Sequence, residues 1–287
     1  MRILVTGVKG QLGHDVMEEL AKRGDTGIGV DIEEMDITDP DSVGRVIRES
    51  DVSAVIHCAA WTAVDKAEEC VDLCRKVNAY GTENIAKVCE ELDLPMMYFS
   101  TDYVFDGNGT RPWEPEDERH PLDVYGQTKA EGEIAVLDHV KKSFILRIAW
   151  VFGINGHNFI RTMLKLAKTH DRLRVVNDQI GTPTYTYDLA RLVVDMIKTD
   201  KYGIYHVTNE GGYISWYDFA VAIFKEAGIT GCTLEPVTSE EYGAKAKRPY
   251  NSRMDRSKIA EEGFAPLPSW EDALSRYVKI LKEEGEA

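Results

Sequence analysis

Positive charge is scarce in this sequence. Of 287 residues, 34 are Lys or Arg and 49 are Asp or Glu, a formal net charge of −15. Binding nucleic-acid phosphates needs clustered cations, so this balance argues against a nucleic-acid partner. It leaves room for a small anionic substrate, which needs only a few local cations. Cysteine is also scarce, with five residues: Cys58, Cys70, Cys74, Cys89 and Cys232. Cys70 and Cys74 are helically spaced, but no second pair completes a zinc site, and an odd count does not suit a disulfide framework. The chain therefore reads as a reduced, cytoplasmic protein. Long hydrophobic runs are missing too. No stretch is apolar enough to cross a bilayer, and Met1–Gly7 lacks the apolar core of a signal peptide. There is no internal repeat and no low-complexity tract. What is present is ordinary globular composition, 43% hydrophobic and 29% charged. The length suits one large α/β domain or a domain with a smaller lobe.

The stretch from Ser100 to Lys129 carries the clearest chemistry. Ser100-Thr101-Asp102-Tyr103-Val104-Phe105 follows an apolar segment, Met96-Met97-Tyr98-Phe99, bounded by Pro95. That reads as a buried strand ending in polar residues, and open α/β sheets bind ligands beyond strand carboxyl ends. Further on, Tyr125-Gly126-Gln127-Thr128-Lys129 places a phenol and an ammonium four residues apart. On a helix that spacing puts both on one face. A neighbouring ammonium favours the phenolate, so the expectation is a proton donor with a lowered pKa. A Thr101 hydroxyl would complete a carbonyl-binding site. Alone, a Tyr-x-x-x-Lys pair is more often a surface pair on a solvated helix.

The rest of the chain supplies context. Arg2–Thr6 reads as a strand, followed by Gly7-Val8-Lys9-Gly10-Gln11-Leu12-Gly13 and a helical face of Leu12, Val16 and Leu20. Strand, glycine turn and helix form a site where backbone can approach a pyrophosphate and the helix N-terminus offers free N–H groups. The spacing is Gly-x-x-Gly-x-x-Gly. A second strand, Thr26–Val30, ends at Asp31. A carboxylate there suits a ribose 2′-hydroxyl and repels a 2′-phosphate, so Asp31 leans toward NADH over NADPH. A strand-end aspartate facing water is the competing reading. Asp36-Ile37-Thr38-Asp39-Pro40 caps a helix through Glu49, and the Asp36-Ile37 pair has the position to lie against an adenine ring. Val52–His57 is a third strand, and His57 reads as a satisfied core histidine. Cys58-Ala59-Ala60 follows, small enough for a cofactor to pass. A long helix spans about Glu68 to Leu92, a polar Gly/Pro loop runs from Gly107 to Pro121, and Ser143–Trp150 is another buried strand.

Alternating strands and helices imply a parallel sheet with right-handed crossovers. The expected fold is α/β: a Rossmann-type doubly wound parallel sheet over residues 1–150, with a return segment near 181–208. A smaller C-terminal substrate-binding lobe would take 151–180 and 209–287. Within it, Asn158–Lys168, Tyr187–Lys198 and Trp270–Leu281 look helical, and Ser215 caps a helix to Ala227. Lys245–Arg253 is a basic loop in an acidic chain, suited to a diphosphate or simply a solvated charge run.

Together these parts resemble an extended short-chain dehydrogenase/reductase, and within that superfamily the dTDP-4-dehydrorhamnose reductases. The carrying stretches are Gly7–Gly13, Ala59–Glu68, Ser100–Phe105 and Val124–Lys129. Arg147–Val151, Asn158–Leu164, Asn177–Thr184 and Arg248–Arg253 complete them. The resemblance implies NADH- or NADPH-dependent reduction of the C4 keto group of dTDP-4-dehydro-β-L-rhamnose. It assigns Tyr125 as general acid, Lys129 as the cation that lowers the tyrosine pKa and holds the nicotinamide ribose, and Thr101 as the group that orients the carbonyl. Cofactor contacts carry over to Gly7, Gly10, Gln11, Leu12, Gly13, Asp31, Asp36, Ile37, Ala60, Trp61, Thr62, Tyr125 and Lys129. Sugar-nucleotide contacts carry over to Val64, Asp65, Thr101, Asp102, Tyr103 and Trp150, with Arg248 and Arg253 near the diphosphate.

Some members of that family dimerise around Mg²⁺ held by surface glutamates. Here Asp15 stands at the first such position, but the second is Tyr187, and a phenol is a poor Mg²⁺ ligand. No metal is expected, and a monomer or weak homodimer is. Two rivals stay open: another nucleotide-sugar epimerase or dehydratase, and a non-catalytic regulatory subunit of the methionine adenosyltransferase type. Tyr103, where a dehydratase usually places a second acid, and the intact Thr101/Tyr125/Lys129 set favour the reductase.

Overall fold

The computed structural model describes residues 1–287. Six strands form one parallel sheet: β1 (Arg2–Thr6), β2 (Thr26–Val30), β3 (Ala54–His57), β4 (Met96–Thr101), β5 (Ser143–Ile148) and β6 (Gly203–His206). Their spatial order is β6-β5-β4-β3-β1-β2. Both faces are covered, and the central strands carry apolar runs accordingly: Ile3-Leu4-Val5, Ala54-Val55-Ile56, Met96-Met97-Tyr98-Phe99 and Phe144-Ile145-Leu146. Side chains alternate between the two cores. Ile3 and Val5, Ala54 and Ile56, Met97 and Phe99, Phe144 and Leu146 pack on one face with the helix Gln11–Lys22 and the helix Thr186–Met196. Leu4, Val55, Met96, Tyr98 and Ile145 pack on the other with the helices Pro40–Glu49, Gly81–Glu91 and Val124–His139. The order reverses between β1 and β3, and a crevice opens there at the strand carboxyl ends.

A third core lies apart from the sheet. It joins Ile160, Met163 and Leu164 to Phe219, Ile223 and Phe224 and to Trp270, Leu274 and Tyr277. These come from the helices Phe159–Ala167, Trp216–Ala227 and Trp270–Glu283. The helix after Ser215 is fixed by a full capping box with Asp218. No helix is long and apolar enough to cross a membrane.

Two expected elements differ. β5 stops at Ile148 rather than Trp150, because Trp150 takes a left-handed φ of 50° and turns the chain out of the sheet. The helix expected from Glu68 to Leu92 is broken. A short turn, Val64–Ala67, comes first, then Val71–Arg75, a wide π-helical turn at Lys76–Tyr80, and Gly81–Glu91. The wide turn carries Asn78, fully interior at 1% exposure. Its Oδ1 accepts from the Trp61 backbone N–H at 2.8 Å and its Nδ2 donates to the Trp61 carbonyl at 3.1 Å. Helix-period reading misses such an insertion, which is typical beside functional loops.

Candidate active site

The crevice holds a cavity of about 620 Å³ at the ends of β1, β3, β4 and β5. Its floor at β1 is the glycine turn. Gly7 has φ 68° and donates its N–H to the Val30 carbonyl at 2.9 Å. A Cβ on Gly7 would lie 2.7 Å from the Ala59 nitrogen, and one on Gly13 would lie 2.3 Å from the Gly7 oxygen. The turn therefore packs directly on the backbone after β3, and only glycine permits it. Thr6 Oγ1 accepts from the Ala59 N–H at 3.1 Å, which stitches the two strand ends together. Gly10 precedes the helix with no side-chain cap, so that helix's first N–H groups stay free for an anion. The residues present thus fit a dinucleotide.

Gly7, Gly10, Gln11, Leu12, Gly13, Asp31, Ala60, Thr62, Tyr125 and Lys129 all line the cavity. The Gln11 side chain, however, accepts from the Gly153 N–H at 2.8 Å and Asn158 Nδ2 at 3.1 Å, so it ties the turn to the lobe. Asp31 Oδ2 accepts from the Lys9 backbone N–H at 3.1 Å. Asp36, Ile37 and Trp61 do not line the cavity. Asp36 accepts from both the hydroxyl and the backbone N–H of Thr38, bonds that hold its carboxyl below the usual range. Ile37 is buried in the helix-side core, and the Trp61 indole donates to the Ala63 carbonyl at 3.2 Å. His57 is the satisfied core residue the sequence suggests. Its nitrogens meet Thr6 Oγ1 at 2.8 Å and Thr82 Oγ1 at 3.1 Å, and burial pushes its pKa down to about 3.

Thr101, Tyr125 and Lys129 converge on the same cavity. Thr101 ends β4, and Asp123 caps the helix that carries the other two, accepting from the Gly126 N–H at 2.7 Å. Their electrostatics differ from the sequence expectation. Tyr125 is not a phenol acidified by a neighbouring ammonium. Burial pushes its pKa up, Asp102 adds to this, and the Thr101 hydroxyl acts in the opposite sense. Lys129 is 3% exposed, and burial lowers its own pKa to about 7. Its Nζ stands 4.0 Å from the Tyr98 ring centroid. Desolvation outweighs the attraction of the neighbouring groups. Burial also raises Asp102 to about 6 and Asp123 to about 7.

On the substrate side, Val64, Thr101, Asp102, Tyr103 and Trp150 line the cavity and Asp65 does not. Asp65 accepts instead from Arg248 at 2.6 and 3.1 Å and from the Ala246 N–H at 3.0 Å. The basic loop is thus partly neutralised, since Lys245 also pairs with Glu69. Neither Arg248 nor Arg253 lines the cavity; Arg253 donates to Asn251 Oδ1 at 2.9 Å and has no carboxylate partner. Sequence reading misses Trp216, which lines the cavity and stacks on Trp150 with centroids 3.8 Å apart. Its partner lies far away along the chain, and no local pattern marks it. Asp15 is buried, and its carboxylate takes the Thr186 hydroxyl hydrogen bond. Tyr187 is 39% exposed and stands beneath the Lys22 ammonium.

A doubly wound sheet with its glycine turn at the switch point, and a threonine, tyrosine and lysine meeting over it, is the arrangement of an extended short-chain dehydrogenase/reductase. Comparison with known proteins is more specific. The family described as RmlD substrate binding domain matches residues 1–283. The dTDP-4-dehydrorhamnose reductase of Aggregatibacter actinomycetemcomitans is 42% identical over 95% of this chain and 97% of its own. A solved dTDP-4-dehydrorhamnose reductase from Clostridium acetobutylicum ATCC 824 superposes with a TM-score of 0.95 at 42% identity, covering 98% and 100% of the two chains. That of Bacillus anthracis, solved in complex with NADP, gives 0.92 at 39% identity, covering 96% and 97%. The chain belongs to the dTDP-4-dehydrorhamnose reductase family.

Proposed function

We propose that this protein reduces the C4 keto group of dTDP-4-dehydro-β-L-rhamnose to give dTDP-β-L-rhamnose, the last step of dTDP-rhamnose synthesis. The observation that carries this is the convergence of Thr101, Tyr125 and Lys129 on the cavity floored by the Gly7–Gly13 turn. A bound nicotinamide cofactor supplies the hydride. Tyr125, kept protonated by burial, donates its proton to the developing C4 alkoxide as general acid. Lys129 adds positive charge beside that oxygen, where charge grows in the transition state. Thr101 orients the carbonyl, and the Trp150–Trp216 stack walls the sugar side and excludes water.

Residues 1–150 with the return segment near 181–208 would hold the cofactor, and 151–180 with 209–287 the sugar nucleotide. For the diphosphate, Arg253 is the readier cation, and Arg248 must first leave Asp65. Asp31 at the rim favours NADH slightly. Lys9 stands beside it, paired with Glu33 at 2.6 Å, and is a cation that would let NADPH serve as well. Mg²⁺ is not needed, because Asp15 is committed to Thr186. A cytoplasmic monomer or weak homodimer suits this role.

The test is oxidation of NADH and of NADPH, followed by nicotinamide absorbance, with dTDP-4-dehydrorhamnose generated in place and with or without EDTA. EDTA-insensitive oxidation of both cofactors is expected. Folded protein that binds cofactor but oxidises neither would sink the reading and bring an epimerase or a regulatory subunit forward.

A further inference from the structure

Thr101 has one hydroxyl proton, and beside an ionised Asp102 that proton points away from the reaction. Oγ1 donates to Asp102 Oδ1 at 2.9 Å and accepts from the Tyr103 backbone N–H at 3.2 Å. A ketone oxygen only accepts hydrogen bonds, so Thr101 in this state has no proton to offer it. Asp102 is 1% exposed and lines the cavity. Its second oxygen, Oδ2, is buried and takes no well-formed hydrogen bond, although the Ser252 hydroxyl is near enough to oppose its burial, and Arg248, the cation of the adjacent loop, is held by Asp65. A carboxylate so placed is costly to bury, and a neutral acid is far less so. The neutral acid also reverses the hydrogen bond. Its O–H donates to Thr101 Oγ1, which with the Tyr103 N–H fills both lone pairs of the threonine oxygen. The threonine proton is then free for an acceptor bound in the cavity that Thr101 lines.

We propose that Asp102 is a positioning residue for the reduction: as the neutral acid it turns the Thr101 hydroxyl toward the substrate carbonyl, and as the carboxylate it turns that hydroxyl away. The inference rests on the reductase reading of the cavity. Asp102 gives up no proton in the cycle. The product hydroxyl receives its proton from Tyr125 and C4 receives the hydride, while the Asp102 proton stays in its bond to Thr101.

The surroundings raise the Asp102 pKa to about 6, so the neutral acid is held to a higher pH than an ordinary aspartate allows. Burial is the main cause, opposed by the Ser252 and Thr101 hydroxyls and by the backbone N–H groups of Asp102 and Tyr103. The titratable groups that face Asp102 are the Tyr125 phenol, the Tyr103 phenol and, beyond them, Asp123. None is a cation. Arg248 acts on Tyr103 and Asp123, and Lys129 sits over Tyr98. A bound diphosphate would exclude water and add negative charge, both of which favour the neutral acid further.

The test is kcat against pH, at saturating cofactor and dTDP-4-dehydrorhamnose, for wild type, Asp102→Asn and Thr101→Val. Wild-type kcat should fall about tenfold per pH unit above the Asp102 ionisation. Asp102→Asn keeps an N–H donor on Thr101 at every pH, so the fall that begins near pH 6 should vanish from kcat, leaving only the later fall as Lys129 loses its proton near 7. Thr101→Val should be slow, with only that later fall. A fall that still begins near pH 6 in either variant overturns the proposal. The carboxylic C=O infrared band of Asp123→Asn, which removes the other raised carboxyl, gives a second readout that does not depend on the Asp102 or Thr101 variants folding. A neutral-acid band that titrates in step with kcat supports the proposal, and Asp102 ionised throughout overturns it. A wild type that turns over without the early fall sinks this inference alone. No wild-type turnover at all sinks the reductase reading with it.

Discussion

Lys129 and Glu133 lie one turn apart on the same helix, both in the interior, and the protein treats them in opposite ways. Burial works to raise the Glu133 pKa, but Arg147 and Arg119 outweigh it and hold the carboxylate below its usual range. Arg147 donates to Glu133 Oε1 and Oε2 at 2.8 Å each, and to the Pro115 carbonyl at 2.9 Å. That network clamps β5, the tyrosine helix and the loop from Trp113 to His120. Lys129 has no such partner. Glu133 acts on it, but burial wins and leaves its pKa near 7. Asp102 and Asp123 nearby are likewise buried, each with one oxygen unpartnered. Charge compensated from every side holds structure together. Charge left uncompensated costs stability and persists where chemistry uses it.

The contrast can be broken from either side. The largest expected effect is on turnover. Tyr125→Phe should lower kcat by about 10²–10⁴-fold while its urea unfolding transition stays within about 1 kcal/mol of wild type. Arg147→Leu should do the reverse. It leaves Glu133 with Arg119 alone and frees the Pro115 carbonyl, so denaturation should show a loss of about 3 kcal/mol or more, and activity should fall only with the folded fraction. Asp123→Asn should have a smaller effect, of opposite sign. The amide oxygen still caps the Gly126 N–H, and the buried carboxylate disappears. The folded-state pKa is near 7 against an ordinary 3.8, so the folded protein binds the extra proton between those values. Wild-type stability therefore falls as pH rises through that window. The variant should gain about 1–2 kcal/mol at about pH 8 and nothing at about pH 4.

Local patterns told most of this story. The alternation of apolar strands and helices set the sheet, because each strand buries both faces and each crossover repeats. Gly7, Thr101, Tyr125 and Lys129 were legible because each sits in a short motif whose spacing fixes its geometry. Long-range partners were not. The Trp150–Trp216 stack and the Arg248–Asp65 pair join residues far apart in sequence, and nothing near either partner announces the other. The broken helix around Asn78 hid for a related reason, since its wide turn answers a loop on β3. The expected acidification of Tyr125 went astray because residue spacing reports proximity but not dehydration.

The most direct test of the contrast is the unfolding free energy of Lys129→Met beside wild type at about pH 6. The folded-state pKa of Lys129 is near 7 against an ordinary 10.5. Below pH 7 both states are protonated and the folded protein bears the whole cost of burying the charge. That cost fades as pH rises toward 10.5. The variant should therefore be more stable than wild type by about 1–3 kcal/mol at pH 6, with the advantage shrinking by about pH 10. A loss of several kcal/mol at pH 6, like that expected of Arg147→Leu, would make Lys129 a structural charge and contradict the distinction.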